Sequence, residues 1–271
     1  MILQAIFLGI IEGLTEFLPI SSTGHLIIAE KFVGYEDAAR LFTVVVQLGA
    51  IAAVIWYYRS DLIDRTIGLF KKQKLDIRFW RNLIIATIPA AIVGIAVDSI
   101  LGTKDLVGLV AAMLIIGGLI MLFAEKQFAT RLNGVEADLD KITAKQALAI
   151  GCAQIASLLP GVSRSGATIV GGMYAGLNRV TATTFSFYLS MPILVLASGY
   201  KLVKNNSDLP NVTGGGSALL AGTIAAFITA LFAVNWLLKY IKHHDFKPFA
   251  YYRLALGGLL LVLLMSGVIT S

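Results

Sequence analysis

Leu18-Pro19-Ile20-Ser21-Ser22-Thr23-Gly24-His25 interrupts an otherwise apolar run, Met1–Ala29. Pro160-Gly161-Val162-Ser163-Arg164-Ser165-Gly166 interrupts a second one, Ala147–Leu177. Each run reads as helix, polar break, short helix. The arms are about 12–16 residues long, short of the roughly 20 needed to cross the hydrocarbon, so each run is predicted to be a re-entrant hairpin. Backbone that leaves the helix at membrane depth has to be buried in protein or line a wet cavity. Both breaks are therefore candidate functional elements before any motif is considered.

The rest of the chain agrees with a membrane setting. Of 271 residues, 57% are hydrophobic and only 14% charged, and the mean hydropathy is +0.81. Soluble domains run near 45–50% apolar and about 25% charged. This balance excludes an ordinary water-soluble enzyme and a disordered chain. The single cysteine, Cys152, excludes a disulfide scaffold and is read as a small core residue. Lys and Arg exceed Asp and Glu by 22 to 16. In so apolar a chain the excess belongs to loops facing anionic lipid and the cytoplasm, not to nucleic acid.

Six charge-free windows predict full spans: Leu41–Tyr58, Asn82–Val97, Leu106–Ala124, Val180–Tyr200, Leu209–Leu238 and Leu254–Ser271. The expected fold is an all-α polytopic membrane protein of six transmembrane helices plus two re-entrant hairpins. Residues 1–271 form one membrane domain. Its first repeat is 1–124, with hairpin 1–34, and its second is 146–271, with hairpin 146–178. Residues 125–145 form a cytoplasmic linker. Gln127–Lys141 and Asn205–Gly216 are read as solvated connections.

An offset of 142 lays Gly9 on Gly151, Glu12 on Gln154, Thr15 on Ser157, Ser21 on Ser163, Thr23 on Ser165 and Gly24 on Gly166. Three spans per half is an odd number, so the halves enter from opposite sides, an inverted-topology repeat. Loops after the first, third and fifth spans, including Arg59–Arg81 and Lys239–Arg253, carry 16 Lys and Arg with Arg179, against 5 on the other side. The positive-inside rule places the first group in the cytoplasm and both termini outside.

Ionisable residues at membrane depth are costly and point to function. Glu12 and Glu16 share a helix face at i, i+4. Two carboxylates in a dry site need a divalent cation, a shared proton or an arginine. Ser21, Ser22 and Thr23 supply three hydroxyls beside His25, and a serine within reach of a base is the layout of an activated nucleophile. In the second break, Gly161 and Gly166 permit close backbone approach. Ser163, Ser165 and Thr168 add hydroxyls at a helix start suited to anions. Arg164 adds a planar fork suited to phosphate, or pairs with a glutamate. This set suits phosphoryl transfer. No nucleotide-binding glycine loop, zincin helix or Cys/His zinc spacing is present.

Glu12-Gly13-Leu14-Thr15-Glu16-Phe17-Leu18-Pro19-Ile20-Ser21-Ser22-Thr23-Gly24-His25 resembles the first signature of the BacA-type undecaprenyl-diphosphate phosphatases, or bacitracin resistance proteins. Pro160-Gly161-Val162-Ser163-Arg164-Ser165-Gly166-Ala167-Thr168 resembles their second. The resemblance implies an integral membrane phosphatase of the bacterial plasma membrane, its site open to the outside. It would convert undecaprenyl diphosphate to the monophosphate carrier lipid. It implies catalytic roles for Glu12, Glu16, Ser22, His25 and Arg164. It further implies phosphate contacts from Ser21, Thr23, Gly161, Ser163, Arg164, Ser165, Gly166 and Thr168. It also implies a divalent cation, Mg²⁺ or Ca²⁺, on Glu12 and Glu16, a membrane-lipid setting, and homodimers. Ser22 assisted by His25 or Glu16, His25 itself, or water stand as alternative nucleophiles.

Two other readings compete. The phosphatidic-acid-type lipid phosphatases need a second histidine after their Ser-Arg, and none follows Arg164 before His243. A secondary transporter or lipid flippase would use the same inverted-repeat scaffold.

Overall fold

A computed structural model describes residues 1–37, 40–101, 107–128, 136–205, 207–208 and 212–269. Outside the described residues lie Lys104, the predicted span boundaries at Leu106, Leu209 and Ser271, linker positions 129–135, and positions 206 and 209–211 of the later connection. Among the described residues all regular structure is helical. In order it comprises α1 (Ile2–Thr15), α2 (Ser22–Val33), α3 (Leu41–Tyr57), α4 (Arg59–Phe70), α5 (Lys74–Leu101) and α6 (Val107–Phe128). Then follow α7 (Ala144–Ile155), α8 (Arg164–Tyr174), α9 (Arg179–Lys204), α10 (Gly215–Tyr240) and α11 (Lys247–Met265).

Five helices, α5, α6, α9, α10 and α11, are long and apolar enough to cross a membrane. The bent pair α3–α4 makes a sixth candidate. Large apolar side chains such as Phe123, Phe232 and Ile116 stay exposed on these helices. Water would penalise that surface, whereas lipid does not. α9 is the most enclosed of the long helices and packs on α3, α5 and α8.

Two sequence readings are corrected. Arg59–Arg81 is not an open loop: α4 turns off α3 by 70°, and α5 has begun by Lys74. An i, i+4 bond from Arg65 Nε to Asp61 (2.9 Å) supports α4, and Arg65 Nη1 also reaches Asp140 at 2.9 Å. Ile63, Ile67 and Phe70 share one exposed face, the pattern of a helix lying at a membrane surface. Charge counting alone marks such a stretch as loop. Cys152 is exposed rather than core, because α7 turns Ala147, Ile150, Gly151 and Gln154 inward and leaves Cys152 outside that stripe.

The short helices sit inside the bundle by close backbone approach. α1 lies on α10 and α7 on α5. A Cβ on Gly9 would fall 2.2 Å from the Gly222 carbonyl oxygen, and one on Gly151 would fall 2.5 Å from that of Ala86. No side chain fits at either position. Prolines interrupt α5 at Pro89 and α9 at Pro192, next to residues that line the central cavity.

Candidate active site

α1 ends at Thr15 and α7 at Ile155, and each chain then crosses its break to a serine that caps the next helix. Ser21, before α2, has φ 70 and ψ 101. Ser163, before α8, has φ 71 and ψ 115. Positive φ is costly for a residue with a Cβ, and both serines hold it where the hairpins turn. Ser163 Oγ accepts from the Gly166 N–H at 3.1 Å and lies 3.0 Å from Ser165 Oγ. Ser165 in turn donates to the Leu18 carbonyl of the other hairpin at 2.8 Å.

The two breaks meet at a cavity of about 780 Å³. Glu12, Glu16, Ser21, Ser22, Thr23, Gly161, Ser163 and Arg164 all line it. The Ser22 hydroxyl donates to Glu16 Oε2 at 2.7 Å. Arg164 Nη2 donates to Glu16 Oε1 at 3.4 Å, and its Nη1 donates to the Ser186 carbonyl at 3.1 Å. One carboxylate thus joins a hydroxyl of the first break to the guanidinium of the second. Arg164 also lies over the Phe17 ring, 5.5 Å from its centroid, and its Nε has no partner.

Glu12 is 1% exposed, yet neither carboxylate oxygen has a hydrogen-bond partner. Gln154, its counterpart at the 142-residue offset, is 0% exposed and equally unpartnered at both amide atoms. It lines the same cavity. Buried polar atoms are normally satisfied, so these four are unusual and remain able to contact a ligand.

A hard divalent cation takes oxygen donors, and Mg²⁺ is held by one or two carboxylates plus substrate phosphates. Two lining carboxylates, one wholly unpartnered, fit that demand. Among the described residues no cluster of three or more His, Cys, Asp or Glu forms a complete protein cage.

The remaining predicted residues lie close by but do not line the cavity. Thr168 Oγ1 is 2.6 Å from Ser186 Oγ and 2.9 Å from the Arg164 carbonyl. It braces the start of α8, as Ser165 and Gly166 do. His25 Nδ1 is 2.8 Å from the Ser21 carbonyl and its Nε2 is 2.7 Å from the Tyr252 hydroxyl. A carbonyl can only accept, so in the neutral ring Nδ1 carries the proton and Nε2 accepts from Tyr252.

Several lining residues escape sequence reading. Arg40, Thr43, Gln47 and Lys201 line the polar part of the cavity, but from the sequence Arg40 and Lys201 only flank predicted spans and Thr43 and Gln47 are uncharged positions inside one. Arg253, counted in a basic loop, is instead 1% exposed within α11. Its position at the edge of a charge-free window was the only available signal.

The chain is similar to known proteins along almost its whole length. A family model described as "Bacitracin resistance protein BacA" matches residues 5–259. A Bordetella avium protein named undecaprenyl-diphosphatase is 44% identical over 266 residues, covering 94% of each chain. A Nitrosomonas europaea protein of the same name is 45% identical, covering 99% of this chain and 96% of its own. One from Methylobacillus flagellatus is 46% identical, covering 96% and 97%.

Proposed function

We infer that this chain, which belongs to the family of the bacitracin resistance protein BacA, is an undecaprenyl-diphosphatase, and we propose how its residues carry that reaction. It is a multi-pass membrane enzyme that releases the terminal phosphate of undecaprenyl diphosphate and returns the monophosphate carrier lipid. The observation that carries the route is the continuous contact Ser22–Glu16–Arg164 across the two breaks, at 2.7 and 3.4 Å.

Phosphoryl transfer needs positioning and charge stabilisation more than covalent chemistry. Arg164 and the N–H groups at the starts of α2 and α8 hold the diphosphate, with Thr23 and Ser163 at the cavity wall. Ser22 Oγ attacks the terminal phosphorus while its proton passes to Glu16 Oε2. The bond from that phosphorus to the bridging oxygen breaks, and undecaprenyl phosphate leaves with the electron pair. Water then attacks the phosphoserine. The phosphorus–Oγ bond breaks, Ser22 regains the proton from Glu16, and inorganic phosphate departs. His25 anchors the Ser21 carbonyl and so holds the corner from which Ser22 projects. Glu12 and Glu16 would hold the divalent cation, Mg²⁺ or Ca²⁺. When bound, it neutralises charge on the diphosphate oxygens.

The apolar part of the cavity, with Ala90, Gly94 and Ile95 of α5 and Leu194 and Leu196 of α9, suits the prenyl tail of a substrate that stays in the bilayer. We also read the chain as an inverted repeat. Supporting this are the matched backbone of Ser21 and Ser163 and the reciprocal packing of α1 on α10 and α7 on α5. Arg40 and Lys201 lie at the helix ends opposite the basic α4 segment, which supports a site open to the extracytoplasmic side.

Phosphate release from a prenyl diphosphate by purified protein tests the reading. Wild type should release phosphate with Mg²⁺ or Ca²⁺ and stop with EDTA, and Arg164→Ala should be inactive. No release under any cation would overturn it in favour of a transporter on the same scaffold.

A further inference from the structure

Among the described residues Arg179 and Arg253 are buried and the Arg164 side chain is nearly so, and the three are not alike. Arg164 faces Glu16 and Arg179 faces Glu125. The partners of Arg253 are carbonyl oxygens. Its Nε donates to Leu114 at 3.3 Å and its Nη2 to Met113 at 3.1 Å, both on α6. Nη1 donates to Pro19 at 3.3 Å and Nη2 to Gly161 at 3.2 Å. Pro19 belongs to the first break and Gly161 to the second. One guanidinium therefore ties a spanning helix to both breaks at once.

The slot around it is cut to size. A Cβ on Gly117 would lie 2.1 Å from Nη2, and one on Gly166 would lie 3.3 Å from Nη1. A planar fork with donors in fixed directions can serve several carbonyls together, whereas a lysine ammonium on a flexible stem cannot hold the same set. The carbonyls of a broken helix at membrane depth need donors from the protein. A buried charge without a carboxylate partner is expensive, so its retention here points to a task beyond packing. Arg253 does not line the cavity and cannot touch substrate there.

We propose that Arg253 is a positioning residue for the phosphatase reaction. Bonded to Pro19 and Gly161, it fixes the separation of the two breaks, and with it the placement of Ser22 and Glu16 against Arg164. This rests on the reaction route given above. Misplacement of reacting groups by about 1 Å costs on the order of 100-fold in rate, and a residue that acts only through geometry lowers kcat more than it raises KM.

The test is steady-state phosphate release from a prenyl diphosphate in detergent by wild type, Arg253→Ala, Arg253→Lys and Gly117→Ala. Both Arg253 variants should lose about 100-fold in kcat with KM within about threefold of wild type. Millimolar guanidinium should restore activity to Arg253→Ala and not to Ser22→Ala, which a packing defect would not reproduce. Gly117→Ala keeps the arginine but pushes its guanidinium from the slot, and it should lower kcat by at least about tenfold. This covers the case in which Arg253→Ala does not fold. Folded variants with wild-type kcat, or Arg253→Ala unresponsive to guanidinium, would overturn the proposal. An inactive wild type would instead sink the phosphatase route itself.

Discussion

Ser21 and Ser163, 142 positions apart, adopt one backbone conformation, φ 70 and 71 with ψ 101 and 115. Each caps the helix that carries the cavity-facing residue next to it, Ser22 or Arg164. The shared left-handed φ is strain that glycine would not feel. Ser21 makes no side-chain capping bond, whereas Ser163 caps Gly166. Ser21→Gly should therefore raise the melting temperature, by about 1 kcal/mol of stability. Ser163→Gly should gain less because a cap is lost. Thermal melts in detergent with Ser21→Gly below wild type would contradict this.

Glu12 supplies two buried, unpartnered oxygens, an arrangement that costs stability unless a cation is bound. Glu12→Gln should melt higher than wild type in EDTA. It should also bind Ca²⁺ or Mn²⁺ more weakly by at least the roughly 10–100-fold that loss of a mere outer-shell partner costs, read by calorimetry or by the Mn²⁺ resonance signal. Unchanged cation affinity would remove Glu12 from the site.

A buried ion pair joins α6 to the start of α9. Arg179 Nε donates to Glu125 at 2.9 Å, and the same carboxylate accepts the Phe246 N–H at 3.0 Å. Removing one partner of such a pair costs about 3–5 kcal/mol. Glu125→Ala should show that loss in an SDS titration of the folded fraction, while the protein that remains folded keeps the wild-type KM.

His25 and Tyr252 are 227 positions apart and stack with ring planes 7° apart. If His25 acts by anchoring Ser21, Tyr252→Phe removes one neutral hydrogen bond and should lower kcat by no more than about tenfold. His25→Ala unpins the corner and should cost about 100-fold. A faster Tyr252→Phe enzyme would favour attack by a freed Nε2.

Much of this was legible in the residues. The window Leu41–Tyr58 became α3, Leu41–Tyr57, and Val180–Tyr200 became the heart of α9, Arg179–Lys204, because a charge-free apolar run in a membrane has to satisfy its backbone internally, which a helix does. Both breaks were visible from Pro, Gly and Ser in apolar surroundings. α4 was hidden because an amphipathic surface helix and a basic loop have the same composition. Arg253 was hidden because its partners are backbone carbonyls on three distant segments, which leave no pattern in side-chain types. The i, i+4 spacing of Glu12 and Glu16 gave their common face. It could not show that Glu16 would hold both Ser22 and Arg164 while Glu12 holds neither.

In the proposed route Ser22 attacks phosphorus with Glu16 as its base. Phosphate release by Ser22→Ala tests it most directly, measured with saturating cation beside wild type and with a melt to show folding. A folded protein is expected whose kcat falls by about 1,000-fold or more, with KM little changed. A folded Ser22→Ala enzyme within about tenfold of wild type would contradict it and hand the nucleophile's role to water or His25.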